Sequence, residues 1–329
     1  MLIGGLIVLV LGGDLLVRGA SGIAGRLGVS PLLIGLTLVG FGTSTPELVT
    51  SLQAAFANSP GIAIGNVVGS NIANILLILG VAALLHPIVV DKVAFRRDGA
   101  VLAAVSLMCL AVVLVGRLHP AAGAAFVAAL AGYILFCIRQ ERSHQAAATP
   151  PAVEVAEAAV PDADLTEGGG AFSSSMAASA GFMIVGLALT VLGAKWLVAS
   201  AIELASNLGV SEAVIGLTVV AVGTSLPELV TSVAAALRRQ NDIAFGNIVG
   251  SNIYNVLFIL GVTALVRPIE VAPSIATFDI WVMLGATAAL LAMAATNWRV
   301  SRAEGGVLLA GYIAYTAWLG LPIIAGGAA

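Results

Sequence analysis

Apolar runs of the length needed to cross a bilayer, roughly 20 residues, recur ten times along this chain: 2–23, 31–57, 61–85, 97–116, 120–138, 174–204, 212–237, 243–266, 275–296 and 304–324. Only 9% of the 329 residues are charged, against about 25% in an ordinary soluble domain. The fold class that follows is an all-α polytopic membrane protein, with the lipid bilayer as its solvent. Residues 1–25 carry no basic leader and short apolar core, and read as a retained helix. Cys109 and Cys137 lie in different apolar runs and read as free thiols.

The one long polar stretch, 140–172, is rich in Pro, Ala, Gly and acidic residues and reads as a flexible linker. It divides the chain into a first membrane region, 1–139, and a second, 173–329. With alternating spans and the N-terminus outside, ten Lys/Arg residues fall in inner loops and two, Arg117 and Arg267, in outer ones. That asymmetry predicts both termini outside and the linker in the cytoplasm of a cell membrane.

A shift of 181 residues lays 35–80 onto 216–261 without a gap, with 29 of 46 positions identical. Each half holds five runs, an odd number, so the second half enters the membrane in the opposite sense. Such inverted repeats place ion sites near the midplane, between the halves.

The identities concentrate in polar residues at membrane depth. "GTSTPELVTS" at 42–51 has Pro46 at its centre, and "GTSLPELVTS" at 223–232 repeats it. Proline cannot donate to the carbonyl four residues back, here Gly42, and freed backbone groups survive in lipid only facing protein or a polar cavity. Thr43, Glu47 and Thr50 follow helical spacing, with Ser44 and Ser51 beside them. The next run, "GNVVGSNIAN", places Asn66, Ser70 and Asn74 on one face, and its twin "GNIVGSNIYN" places Asn247, Ser251 and Asn255 alike. Together these are an all-oxygen donor set of the kind hard cations such as Na⁺ and Ca²⁺ prefer.

A lone membrane glutamate can be protonated and bonded between helices. Two at matched breaks, each costing about 2.5–3.5 kcal/mol at a span centre, point to a bound cation. An asparagine in a span serves equally as glue between helices, and a serine often bonds to its own helix. Asp14 and Lys195 occupy twin positions and either line a pathway or snorkel to the interface, so they stay outside the site. The histidines, 86, 119 and 144, fall in loops, and no base accompanies Ser44 or Ser225, which leaves an enzyme without machinery. A channel is disfavoured by the duplicated site and the lack of a filter-like ring.

On these paired motifs the chain resembles the cation/calcium exchanger superfamily, most closely the prokaryotic sodium/calcium exchangers. The resemblance implies ten helices as two inverted five-helix repeats, broken at the core. It implies antiport of Na⁺ against Ca²⁺ by alternating access, with H⁺/Ca²⁺ antiport on the same glutamates as the alternative. By family analogy the exchange is electrogenic. Glu47 and Glu228 would bridge Ca²⁺, aided by carbonyls of Thr43 and Thr224. Na⁺ would share the glutamates with Ser44, Ser225, Ser70, Ser251 and Asn74, and with backbone at Gly40 and Ala221. Asn255 stands where some relatives carry aspartate, which counts against potassium coupling. No cofactor is implied beyond the transported ions, nor any nucleic-acid or protein partner, and a monomer suffices.

Overall fold

The computed structural model describes residues 2–56, 60–148, 175–207, 221–273 and 275–324. Twelve helical elements are described. Helix α1 is Leu2–Leu27. Helix α2, Pro31–Thr43, meets α3, Thr45–Phe56, at a 42° bend. Helix α4 covers residues 60–85, α5 is Lys92–Val115, α6 is Pro120–Ala148 and α7 is Met176–Asn207. Helix α8 is the short Ala221–Thr224 and α9 is Leu226–Leu237. Helices α10, Asn241–Val266, and α11, Ile275–Asn297, precede α12, Arg302–Ile324. Among the described residues, seven helices are long and apolar enough to cross a membrane, or eight if α2 and α3 form one bent span.

Local chemistry explains the boundaries that matter. Ser30 caps α2, its hydroxyl accepting from the Leu33 N–H at 3.3 Å, with Pro31 at the first helical position, where its missing N–H costs nothing. Helix α6 runs through Ala148, so 140–148, which we expected to begin the linker, is helical and carries His144 within it. Its sequence, "QERSHQAAA", is made largely of strong helix formers. Glu141 fixes this extension by accepting from the Ser30 N–H at 2.7 Å. The rest of the expected linker, 149–172, and the start of the expected seventh span, 212–220, lie outside the described residues.

Contacts between the halves are reciprocal. Two-residue strands β1 (Ile88–Val89), β2 (Arg117–Leu118), β3 (Ile269–Glu270) and β4 (Arg299–Val300) pair as β1 with β4 and β2 with β3, both antiparallel. Each ribbon thus takes one strand from each half. The turns before β2 and β4 both use left-handed backbone, at Gly116 (φ 81°) and Trp298 (φ 54°). Trp298 is held there by Lys92 and Arg96 over its ring, at 5.2 and 5.8 Å, an arrangement worth about 0.5–1 kcal/mol per cation at exposed sites. Ser106 and Thr287, twins by the 181 shift, share a hydrogen bond of 3.3 Å.

Helices α1 and α7 pack backbone to backbone. A Cβ at Gly193 would lie 2.5 Å from the Leu9 nitrogen, and one at Gly12 the same distance from the Thr190 nitrogen. Small residues permit such approach between helices in lipid. Both cysteines are buried and free.

One buried carboxylate away from the helix breaks is paired. Asp98, 1% exposed, accepts from Arg97 Nε at 2.5 Å, Arg97 Nη2 at 3.0 Å and the Tyr133 hydroxyl at 2.7 Å. Its twin Asp279 accepts from Tyr315 at 2.9 Å. Replacing Asp98 with alanine strands a guanidinium and a phenol, and is expected to cost about 3–5 kcal/mol. A thermal melt of the detergent-solubilised protein, followed by size-exclusion, should show the midpoint fall; an unchanged midpoint would mean the cluster carries no stability.

Candidate ion-binding site

The bend between α2 and α3 falls at Ser44, whose backbone (φ −80°, ψ 5°) leaves the helical region two residues before Pro46. The second half repeats it at Ser225 (φ −91°, ψ 8°), between α8 and α9. Each break sets two helix ends together. The C-terminal carbonyls of one segment carry partial negative charge, and the N-terminus of the next carries partial positive charge. Glu47 and Glu228 both sit in that first positive turn, where a carboxylate is electrostatically favoured.

Both glutamates are buried, 1% exposed each. Ser225 occupies the N-cap of α9, yet its hydroxyl does not cap its own helix. It donates instead to Glu47 Oε1 at 3.1 Å, while Ser44 donates to Glu228 Oε1, also at 3.1 Å. A capping bond worth about 1 kcal/mol is forgone on α9 for one that ties the halves together. The second oxygen of each carboxylate, Oε2, is buried with no hydrogen-bond partner.

Helices α4 and α10 supply the flanking amides. Asn255 donates to Ser70 Oγ at 3.1 Å and to Asn71 Oδ1 at 2.9 Å. Its own Oδ1, the Oδ1 of Asn74 and the Ser251 hydroxyl are buried without partners. Both asparagines lie at π-helical segments, Ala73–Leu79 and Asn255–Leu260. Such a wider turn offsets the side chains from ordinary helical spacing and is frequent at functional sites.

The expected site residues divide by what they touch. Ser44 with Glu228, Ser225 with Glu47, and Ser70 with Asn255 are joined directly. The single hydroxyl proton of Thr43 is shared between Asn247 Oδ1 at 3.2 Å and the Val39 carbonyl at 3.1 Å. Gly40 is buried one turn ahead of Ser44, its carbonyl accepting from the Ser44 N–H at 3.1 Å. Ala221 opens α8, and half-buried Thr224 closes it beside Ser225.

A cavity of about 450 Å³ leads to these breaks. Thr45, Pro46, Thr50 and Gln53 of the α2–α3 region line it, with Lys195 of α7, and Thr224 and Pro227 at the second break. Buried carboxyl, amide and hydroxyl oxygens without partners form a cage suited to a cation.

The comparisons agree with that chemistry. Residues 1–139 and 178–321 match the family described as sodium/calcium exchanger protein. The chain belongs to the sodium/calcium exchanger family. This exchanger is 36% identical over 326 residues to inner membrane protein YrbG of Escherichia coli K12, covering 98% of this chain and 95% of that one. It is 36% identical over 341 residues to sodium/calcium exchanger MaX1 of Methanosarcina acetivorans, covering 94% and 95%. Its fold matches the solved sodium-calcium exchanger NCX_Mj, soaked with Na⁺ and Sr²⁺, at a TM-score of 0.79, with 31% identity and 96% of each chain covered. The exchanger is therefore a multi-pass membrane transporter of the cation/Ca²⁺ exchange class, not an enzyme.

Two asparagines have a role in the exchanger that their sequence stripe did not reveal. Asn66 Nδ2 donates to the Glu47 carbonyl at 3.1 Å and to Ser51 Oγ at 3.0 Å. Asn247 does the same at Glu228, at 3.5 Å, and Ser232, at 2.9 Å. Both brace the glutamate helices rather than face the cage. Asn71 and Asn252 fall outside the expected stripe, yet Asn71 donates to the Asn252 carbonyl at 3.4 Å and accepts from Asn255. The duplicated "SN" of "GSNI" was the available signal.

Proposed function

We propose that the exchanger is a secondary antiporter trading Na⁺ for Ca²⁺ by alternating access, with both ions held between two five-helix repeats of inverted topology. The observation that carries this is the set of buried, unpartnered oxygens at twin positions: Glu47 Oε2, Glu228 Oε2, Asn74 Oδ1 and Asn255 Oδ1. Leaving such groups unpaired costs about 1–3 kcal/mol each, more for charged ones, and a hard cation among them offsets that cost. Glu47 and Glu228 bridge Ca²⁺, with carbonyls at Thr43 and Thr224. Ser44, Ser225, Ser70, Ser251, Asn74 and backbone at Gly40 and Ala221 complete the Na⁺ positions, and Asn255 closes the cage opposite Asn74.

Ten spans arise from the seven long helices, the bent α2–α3 pair, the 212–237 segment and α12. The reciprocal ribbons and the Ser106–Thr287 bond support a two-fold relation between halves 1–139 and 173–329. The loop charges support termini outside and a cytoplasmic tether between the halves, in the cell membrane.

Two ionised glutamates carry −2. One Ca²⁺ or two Na⁺ neutralise them, and a bare pair resists transfer across a low-dielectric bundle, so ion-loaded states switch and empty ones do not. With three Na⁺ per Ca²⁺, each cycle moves one charge, worth about 2.3 kcal/mol per 100 mV. Proteoliposomes loaded with Na⁺ should take up radiolabelled Ca²⁺, faster with an interior-positive potential, whereas K⁺-loaded vesicles should not. Uptake driven by an acid interior without Na⁺ would replace Na⁺ by H⁺ as counter-ion, and a rate flat across imposed voltages would refute the three-to-one ratio.

A further inference from the structure

The two halves do not offer ions equivalent routes. On one side the 450 Å³ cavity reaches Thr224 and Pro46 at the two breaks, and Lys195 of α7 is exposed within it. No other lining residue is charged, and among the described residues no carboxylate pairs with this ammonium. The 181 shift maps Lys195 onto Asp14 and Val49 onto Val230. At that twin location the route is shut. A Cβ on Gly13 would lie 2.5 Å from Val230 Cγ1, Thr231 is fully buried, and Asp14 is held by Arg238 of the segment after α9 and by Arg18 at 2.9 Å.

We propose that Lys195 is a specificity-determining residue of the open route: its fixed positive charge weakens cation capture from that side and does so more for Ca²⁺ than for Na⁺. This rests on the Na⁺/Ca²⁺ antiport reading and extends it. Coulomb energy scales with the charge of the ion, so one ammonium at a given distance penalises a divalent ion twice as strongly as a monovalent one. In an affinity, doubling the energy squares the factor. An exposed ammonium is also screened by salt, over about 10 Å at 0.1 M. Lys195 therefore raises the Ca²⁺ concentration needed to load the open face and favours Ca²⁺ release there over rebinding. On the topology proposed above that face is the outer one, which suits extrusion.

The test compares wild type, Lys195→Gln and Lys195→Arg in right-side-out and inverted membrane vesicles, with half-saturating Ca²⁺ and Na⁺ measured on each face. Lys195→Gln should lower half-saturation on one face only, by about 4-fold for Ca²⁺ where Na⁺ changes about 2-fold, and added choline chloride should shrink both shifts. Lys195→Arg should match wild type. Equal shifts for both ions, shifts on both faces, no shift, or an arginine variant behaving like glutamine would each overturn the role of charge. Wild-type Ca²⁺ flux that needs no Na⁺ would sink the antiport reading alone, leaving the Ca²⁺ shift, its sidedness and the arginine rescue to decide the inference. No Ca²⁺ flux in wild type would overturn both.

Discussion

Glu47→Gln is expected to abolish Na⁺-dependent Ca²⁺ uptake while leaving the protein folded. The substitution keeps shape and an acceptor oxygen beside the Ser225 hydroxyl, 3.1 Å away, but removes one of two negative charges from the cage. A divalent ion then leaves the site at net +1, in surroundings that screen poorly. The expected loss in Ca²⁺ affinity is about 1000-fold, on the order of 4 kcal/mol. Glu228→Gln should be equivalent, because its contacts mirror those of Glu47. Isothermal titration with Ca²⁺ in detergent, alongside vesicle flux, separates binding from transport. A variant that still bound Ca²⁺ within 10-fold of wild type would remove Glu47 from the ion site.

The second large effect concerns packing. Gly193→Ala inserts a methyl group 2.5 Å from the Leu9 nitrogen and 2.8 Å from the Gly5 carbonyl oxygen. Both obstacles are backbone, so relief requires α1 and α7 to separate along their contact. Alanine is otherwise the better helix residue by about 0.5–1 kcal/mol, which makes the sign diagnostic. Gly193→Ala should destabilise by about 3 kcal/mol, the upper end for overpacking, with Gly12→Ala alike. Gly181→Ala on the same helix, with nothing within 4 Å, should be neutral or stabilising. Melting midpoints of the three variants check this. A Gly193→Ala protein as stable as Gly181→Ala would show that the two helices pack loosely.

Much of the site could be read from residue order, because its parts are short-range. A proline after a "GTS" run, a glutamate one residue on and asparagines at helical spacing are all visible within ten residues. The duplication then marks which of them belong together. What stayed hidden depended on side-chain direction or distant partners. Asn66 and Asn247 lie on the same stripe as Ser70 and Ser251, yet they turn their amides to the glutamate carbonyls. The π segments at Ala73 and Asn255 have no residue signature, since the extra residue per turn is set by packing. Helix α6 outlasts its apolar run because 140–148 satisfies helix propensity after lipid contact ends, a signal that hydropathy alone cuts short. Two-residue strands are too brief for any alternation to register.

Those strands have a consequence for how the protein is made. Val89 pairs with Arg299, and Arg117 with Glu270, so the first half leaves the ribosome with its strand edges unmatched. Neither ribbon can close until translation has passed residue 270 for one and 300 for the other. Contacts of such long sequence separation form late and slowly, and the unfinished edges are exposed meanwhile to wrong partners. Membrane insertion of single helices can proceed one at a time, but the two ribbons that join the halves must wait for the strands of the second half.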